Sequence, residues 1–283
     1  MEDRSLRVLE FNKIKELIKN YTVTYSAKIL VDELKPYDTI FEVEKKLQET
    51  GEALDLLITK GSAPFEGLYD SREGIERAKK GGVLSPGQLL RIGGMLKSSR
   101  RFKEYLSRRE EEKAHEILED LVSILTPIKS LEDIIEMSII SEDEISDKAS
   151  STLYNLRRNI KEKVSSVRDK INSIVRANSK YLQDTLYTMR GDRYVLPVKV
   201  EHKGAVQGLV HDQSSTGSTL YIEPISLVNL NNEIKELKLK EKAEIERILM
   251  DLSNRVLDNI DVISSNNRIL TELDFIFAKA KYA

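Results

Sequence analysis

The chain has 283 residues, 33% of them charged and only 6% aromatic, with no Trp, no Cys and a net charge of −2. The missing Cys excludes disulfides, thiolate zinc sites, iron–sulfur clusters and Cys nucleophiles, and three His far apart in sequence (His115, His202, His211) argue against a His-based metal site. With 13 Gly and 6 Pro, tight turns are scarce, which speaks against a β-sandwich or α/β barrel and for long helices.

The amino terminus runs directly into the helical pattern Leu6, Leu9, Ile14, Leu17, Ile18. Neither a secretory signal nor a membrane-spanning run is visible. The expectation is a cytoplasmic protein without a membrane partner. Residues 1–148 read as a helical core domain. Ile40, Val43, Leu47, Leu54, Leu57 and Ile58 keep helical spacing, and Lys60–Gly67 is a loop by its Gly and Pro content. Asp70-Ser-Arg-Glu73 and Ser85-Pro-Gly-Gln88 both fit the capping box, with Pro86 at the first helical position.

Charge then separates along the chain. Residues 104–147 hold 14 acidic against 4 basic residues, whereas residues 151–190 hold 9 basic against 3 acidic. Within the basic stretch Leu153, Leu156, Ile160, Val164, Val167, Ile171 and Ile174 step by three and four, a seam narrow enough for a coiled coil. A second seam follows at Leu230, Ile234, Leu237, Ile245, Ile248, Leu252, Val256, Ile260, Ile263 and Leu270. Two such seams most simply pair antiparallel, as an outgoing helix over 149–190 and a returning helix over 225–272, each roughly 60 Å long. The last residues, 273–283, would return to the core.

Between the seams, residues 191–224 change character. Arg193–Val200, Ala205–His211 and Thr219–Ile222 are β-branched and aromatic runs separated by turn-like Glu-His-Lys-Gly204 and Ser-Ser-Thr-Gly217. They predict a three-stranded antiparallel sheet at the arm's far end, serving contact more than folding. Pro197 predicts that its strand lies at an edge.

No phosphate-binding loop G-x-x-x-x-G-K-[ST] is present, and the pairs Gly81-Gly82 and Gly93-Gly94 read as local turn or helix features. Arg190-Gly-Asp192 is a chance tripeptide. His211, Asp212, Ser214 and Ser215 contain the residue types of a hydrolase triad. Neighbours on a strand face opposite ways, however, so His211 cannot readily lean on Asp212. No catalytic residue and no metal ligand is assigned. On a helical wheel Arg157, Lys161 and Arg168 fall beside the first seam, and Arg158, Arg176 and Lys180 continue round the same side; Lys163 and Lys170 take the other flank. Such a flank can neutralise phosphates, or can serve solubility and pairing across the coiled coil. Tyr154, Tyr181 and Tyr187 are the only stacking rings of the basic stretch.

These residues resemble the MutS proteins in their type-2 branch. The landmarks are Leu9-Glu-Phe11, Ala63-Pro-Phe65 with Gly67-Leu68, Val83-Leu-Ser-Pro86, Asp147-Lys-Ala-Ser150 and Asp192-Arg-Tyr-Val-Leu-Pro-Val-Lys199. Gly208-Leu-Val-His-Asp-Gln-Ser-Ser-Thr-Gly-Ser-Thr219 leads into Ile222-Glu-Pro224, and Glu244-Ile-Glu-Arg247 and Leu273–Tyr282 complete the pattern. The resemblance implies a helical core, two lever helices and a clamp, with an ATPase (hence ATP and Mg) and a small nuclease domain beyond Ala283. It also implies a homodimer acting on branched DNA to suppress homologous recombination, or on collided ribosomes and their rRNA. Candidate nucleic-acid contacts are Arg157, Arg158, Lys161, Arg168, Arg176 and Lys180 on the lever, and Lys199, Lys203, His211, Ser214, Ser215 and Thr216 at the clamp. No catalytic role carries over to the clamp motif. The alternative reading is a coiled-coil adaptor that binds protein partners through its tip.

Overall fold

The computed structural model describes residues 3–107 and 114–283, the side chains of Asp3 and Arg4 excepted. Residues 108–113, part of the acidic stretch, lie outside it. Among the described residues the chain is mainly α, with eleven α-helices and two small antiparallel sheets. No described helix is long and apolar enough to cross a membrane.

In chain order the elements begin with α1 (Asp3–Val8), α2 (Phe11–Lys19), α3 (Tyr25–Glu33), α4 (Ile40–Lys60), α5 (Arg72–Lys79) and α6 (Pro86–Leu106). Then come α7 (Glu116–Ser123), α8 (Lys129–Ser138) and the short hairpin β1 (Ile139–Ser141) and β2 (Glu144–Ile145). After α9 (Ser151–Asn178) follow β3 (Thr188–Arg190), β4 (Arg193–Lys199), β5 (Gly208–Gln213) and β6 (Thr219–Pro224), and α10 (Ile225–Asp258) and α11 (Ile260–Tyr282) close the chain. Two compact units result: residues 1–146 with 249–283, and residues 147–248.

In the first unit Phe65, Phe102 and Phe277 form a ring cluster with centroids 4.9–6.0 Å apart, joining the loop before α5 to α6 and α11. The predicted loop Lys60–Gly67 approaches α6 so closely that a Cβ on Gly94 would meet the Gly67 carbonyl at 2.2 Å. Ser85 and Gln88 make both bonds of the capping box. The other predicted box is not formed. Asp70 accepts from the Arg72 amide at 3.0 Å and is clasped by the Arg72 guanidinium, so the helix starts one residue later, at Arg72. Two buried polar groups tie α11 to distant chain: Asn266 bonds the Thr126 amide and carbonyl, and Asp274 accepts from Val23 and Thr24 at the start of α3. On α4 the buried face is mixed and the opposite face carries exposed apolar residues. Glu49, Glu52, Ala53 and Leu56 are buried, while Ile40, Leu47 and Ile58 keep 78%, 67% and 75% of their surface exposed.

The chain from α9 onward corrects several expectations. The predicted outgoing helix ends at Asn178, where its apolar seam ends, so α9 is about 42 Å long. The returning seam divides at Asn259, whose side chain bonds the Arg255 carbonyl, and α11 restarts at Ile260. The sheet has four strands in the order β3-β4-β6-β5, not three. The extra strand β3 joins β4 through the two-residue loop Gly191-Asp192, both residues at positive φ (52° and 61°), as a type I′ hairpin turn requires. That turn accounts for Arg190-Gly-Asp192.

β4 is therefore interior and not at an edge. Pro197 is tolerated because the β3 ladder stops at Val195. At Pro197 the carbonyl accepts instead from Gln183, on the side where an N–H would also point. Nor is the sheet a bare contact device. Leu196, Val198, Leu220 and Ile222 share one buried core with Val167, Ile171 and Val175 of α9 and Leu227 and Ile234 of α10.

Candidate nucleic-acid interface

Polar contacts set the register between α9 and α10. Ser150, the N-cap of α9, donates to Glu244 at 2.7 Å, Arg157 bonds Glu241 at 2.8 Å, and Lys163 pairs with Glu233 at 2.5 Å. Partners on α10 step backward as those on α9 step forward, so the two helices run antiparallel within this unit. Arg247 and Ser150 hold the Glu244 carboxyl down at about 2, against a smaller opposing push from burial.

These contacts sort the predicted basic flank. Arg157 lies between Asp147 (2.6 Å) and Glu241, and Arg158 pairs with Glu162 at 3.0 Å. Lys161, Arg168 and Arg176 are exposed and make no ion pair among the described residues. Together with Ser165 and Asn172 they form one exposed stripe without an acidic member, about 22 Å long.

The clamp candidates fall into two groups. His211 is the extra residue of a bulge in β5, between Val210 and Asp212, and the bulge turns its ring toward β6. There His211 Nε2 lies 2.5 Å from Glu223, a carboxylate with no accessible side-chain surface. Glu223 also accepts from Arg193 at 2.9 Å and from Asn231 of α10 at 2.7 Å. Burial pushes the Glu223 carboxyl up, but the bonds from Asn231, Arg193 and His211 outweigh it and hold the group below its ordinary value. Asp212 pairs with Arg190 instead, at 3.1 Å, so His211 and Asp212 do not act together. Arg193 and Glu223 fall within two of the landmark motifs, but no spacing pattern joins them to each other or to Asn231, and each residue type is common.

The second group gathers at the opposite end of β4. Lys199 is paired with Thr219, and the Val200 amide bonds the Ser218 carbonyl at 3.0 Å, which brings the β5–β6 loop alongside. In that loop Ser214 accepts from the Thr219 amide, Thr216 bonds Ser218 at 2.9 Å, and Ser215 is exposed. Leu182 bridges to Val198, so the turn Ser179–Tyr181 that follows α9 arrives at the same place with Lys180. Lys203 ends the short turn Val200–His202 beside it. Lys180, Lys199, Lys203 and the hydroxyl loop are thus neighbours, and His211 is not among them. Elsewhere Glu132, Asp133 and Glu136 lie close enough to share an ion, but Arg100, Lys129 and Lys97 already pair with them.

Comparison with known proteins supplies the lineage. Endonuclease MutS2 of Clostridium beijerinckii is 67% identical over all 283 residues. The proteins of the same name from Clostridium perfringens and Clostridium botulinum are 63% and 61% identical over the whole chain. The chain belongs to the MutS family, in its type-2 branch. It spans 36% of the length of these MutS2 relatives. No protein-family model matches it. The long motif Gly208–Thr219 has a physical content: it builds the bulged strand that carries His211 and the hydroxyl loop that meets Lys199.

Proposed function

We propose that the chain is the core, lever and clamp portion of a MutS2 protein and that it grips nucleic acid by its phosphate backbone. In this reading α9 and α10 form the antiparallel coiled-coil lever, and the four-stranded sheet is the clamp. The observation that carries it is the exposed stripe Lys161, Arg168 and Arg176, which keeps its charge uncompensated while neighbouring cations are engaged with carboxylates. Cations so placed bind phosphates irrespective of base sequence. The whole protein would be an ATP-driven dimer acting on branched DNA to restrain recombination, or on collided ribosomes through rRNA. ATP, magnesium and the endonuclease activity in the relatives' name would belong to parts outside these 283 residues.

The test is the triple reversal of Lys161, Arg168 and Arg176 to Glu. Affinity for a branched DNA or an rRNA hairpin should fall steeply. The log–log salt dependence should flatten by about 2 to 3, three phosphate contacts at about 0.7–0.9 each. Unchanged affinity with an unchanged slope would refute phosphate gripping by α9 and favour the adaptor that binds protein through its tip. Crosslinking in cells, scored for rRNA against chromosomal DNA, separates the two partners.

A further inference from the structure

The Lys199 end of the sheet carries more than positive charge. Tyr181 and His202 stack edge to face there, centroids 5.2 Å apart at 63°, and both rings are partly accessible. Lys180 holds its ammonium 4.7 Å from the Tyr181 ring centre. Two separate connections build this pair. The bridge Leu182–Val198 and the bond from Gln183 to Pro197 bring Tyr181 in from α9, while the turn after β4 delivers His202. Lys180 borders the Tyr181 ring, Lys199 and Lys203 flank the turn that carries His202, and the same segments hold two carboxylates, Asp184 and Glu201. The adjoining loop adds the hydroxyls of Ser214, Ser215, Thr216 and Ser218.

A purely electrostatic grip on a duplex needs no rings. Two accessible aromatic rings bordered by lysines are the arrangement that binds unpaired nucleotides, because every base offers a π-face and every nucleotide a phosphate. We infer that Tyr181 and His202 form a stacking platform for an unpaired nucleobase, with Lys180, Lys199 and Lys203 receiving the flanking phosphates. Lys180 is held over Tyr181 only by a flexible stem, so a base can displace its ammonium from the ring toward its own phosphate. This rests on the phosphate-gripping function proposed above and adds to it a preference for strand that is not paired.

The experiment uses the complete 283-residue chain with fluorescent hairpins carrying a six-nucleotide unpaired loop, roughly the site size of a small single-strand binder, and blunt duplexes of the same stem. RNA and DNA versions of both are compared. The wild type should prefer the looped probe. Tyr181→Ala should weaken loop binding about tenfold or more, leave duplex affinity and the salt slope unchanged, and so abolish the preference. Tyr181→Trp, which restores a π-face, should keep it. Thermal unfolding of each variant identifies any loss of fold, and the Trp variant tests the platform even if the Ala variant unfolds. A wild type without loop preference, or a Tyr181→Ala change that lowers loop and duplex affinity equally, overturns the platform. If duplex binding persists in that case, the phosphate grip survives. If neither probe binds, both readings fall. The RNA and DNA arms show which kind of strand supplies the base.

Discussion

Replacing Glu223 by Gln should destabilise the second unit more than any other single isosteric change in it. The carboxylate has no accessible surface and receives Arg193, His211 and Asn231 from β4, β5 and α10 while sitting on β6. A glutamine keeps the volume but removes the charge, and its amide turns a donor toward at least one of three donors. Removing one partner of a buried ion pair costs about 3–5 kcal/mol. Arg193 and His211 keep 19% and 29% of their side-chain surface in solvent, so the lower end, about 3 kcal/mol, is expected. With a urea m-value of about 1–3 kcal/mol/M, the midpoint of this unit should fall by about 1–3 M. Amide hydrogen exchange during the titration assigns the loss to residues 147–248. The pH dependence gives a second readout. A carboxyl held below its ordinary value stabilises the fold above the unfolded pKa, about 4.3, and loses that stabilisation as pH falls through the lower folded value. The gap between wild type and E223Q should therefore narrow below about pH 4. A midpoint shift worth under about 0.5 kcal/mol, the range of an ordinary surface change, would show that the network does not hold the sheet to α10.

Three further outcomes follow from the packing. Burial raises the Asp274 carboxyl despite its bonds to Val23 and Thr24, so its contribution is complete below the unfolded pKa and is lost as pH rises through the folded one. The stability advantage of wild type over Asp274→Asn should be largest below about pH 4 and shrink on neutralisation, as read from urea midpoints across pH. Gly208→Ala should destabilise the sheet by about 1–3 kcal/mol in thermal unfolding, because its Cβ would sit 2.2 Å from the Glu223 carbonyl oxygen. Leu47→Lys should shift thermal stability by no more than about 0.5 kcal/mol, since the apolar stripe of α4 faces away from its unit's core. A larger loss would mean that this stripe is already covered.

Much of the architecture was legible because seams and caps are local signals. The spacing from Leu153 to Ile174 marks α9 correctly up to the point where apolar residues stop, and the Ser85 box marks the start of α6. What escaped was set by tertiary context. Thr188-Met-Arg190 is too short and too polar to declare a strand by composition, and only the Gly191-Asp192 turn, with two positive φ angles, pairs it with Arg193–Val195. Pro197 suggested an edge because periodicity cannot show where a neighbouring ladder stops. The exposed apolar face of α4 was equally hidden. Ile40, Leu47 and Ile58 keep helical spacing whether they face a core or solvent, and the buried Glu49 is explained only by Lys46 and by Lys279 from the far end of the chain.

The same reasoning decides which of the predicted cations remain candidates. A helix flank next to a seam is where a partner helix can place carboxylates, so the cation lying nearest the apolar stripe is the first to be engaged. Arg157 is that residue, and it is held by Asp147 and Glu241; on the other flank Lys163 is held by Glu233. Arg158 points further out but finds Glu162 one turn away on its own helix. Lys161, Arg168 and Arg176 remain available because the residues between them, Ser165 and Asn172, carry no charge and α10 does not reach them with an acid among the described residues. A count of charges along residues 151–190 overstates the phosphate-binding surface, since it adds cations that hold the two helices together to those that face solvent. Removing those engaged with carboxylates leaves on that flank a stripe of three and, past the end of α9, the cluster around Tyr181 and His202. The two surfaces call for different ligands: regularly spaced phosphates along the helix, and an unstacked base at its end.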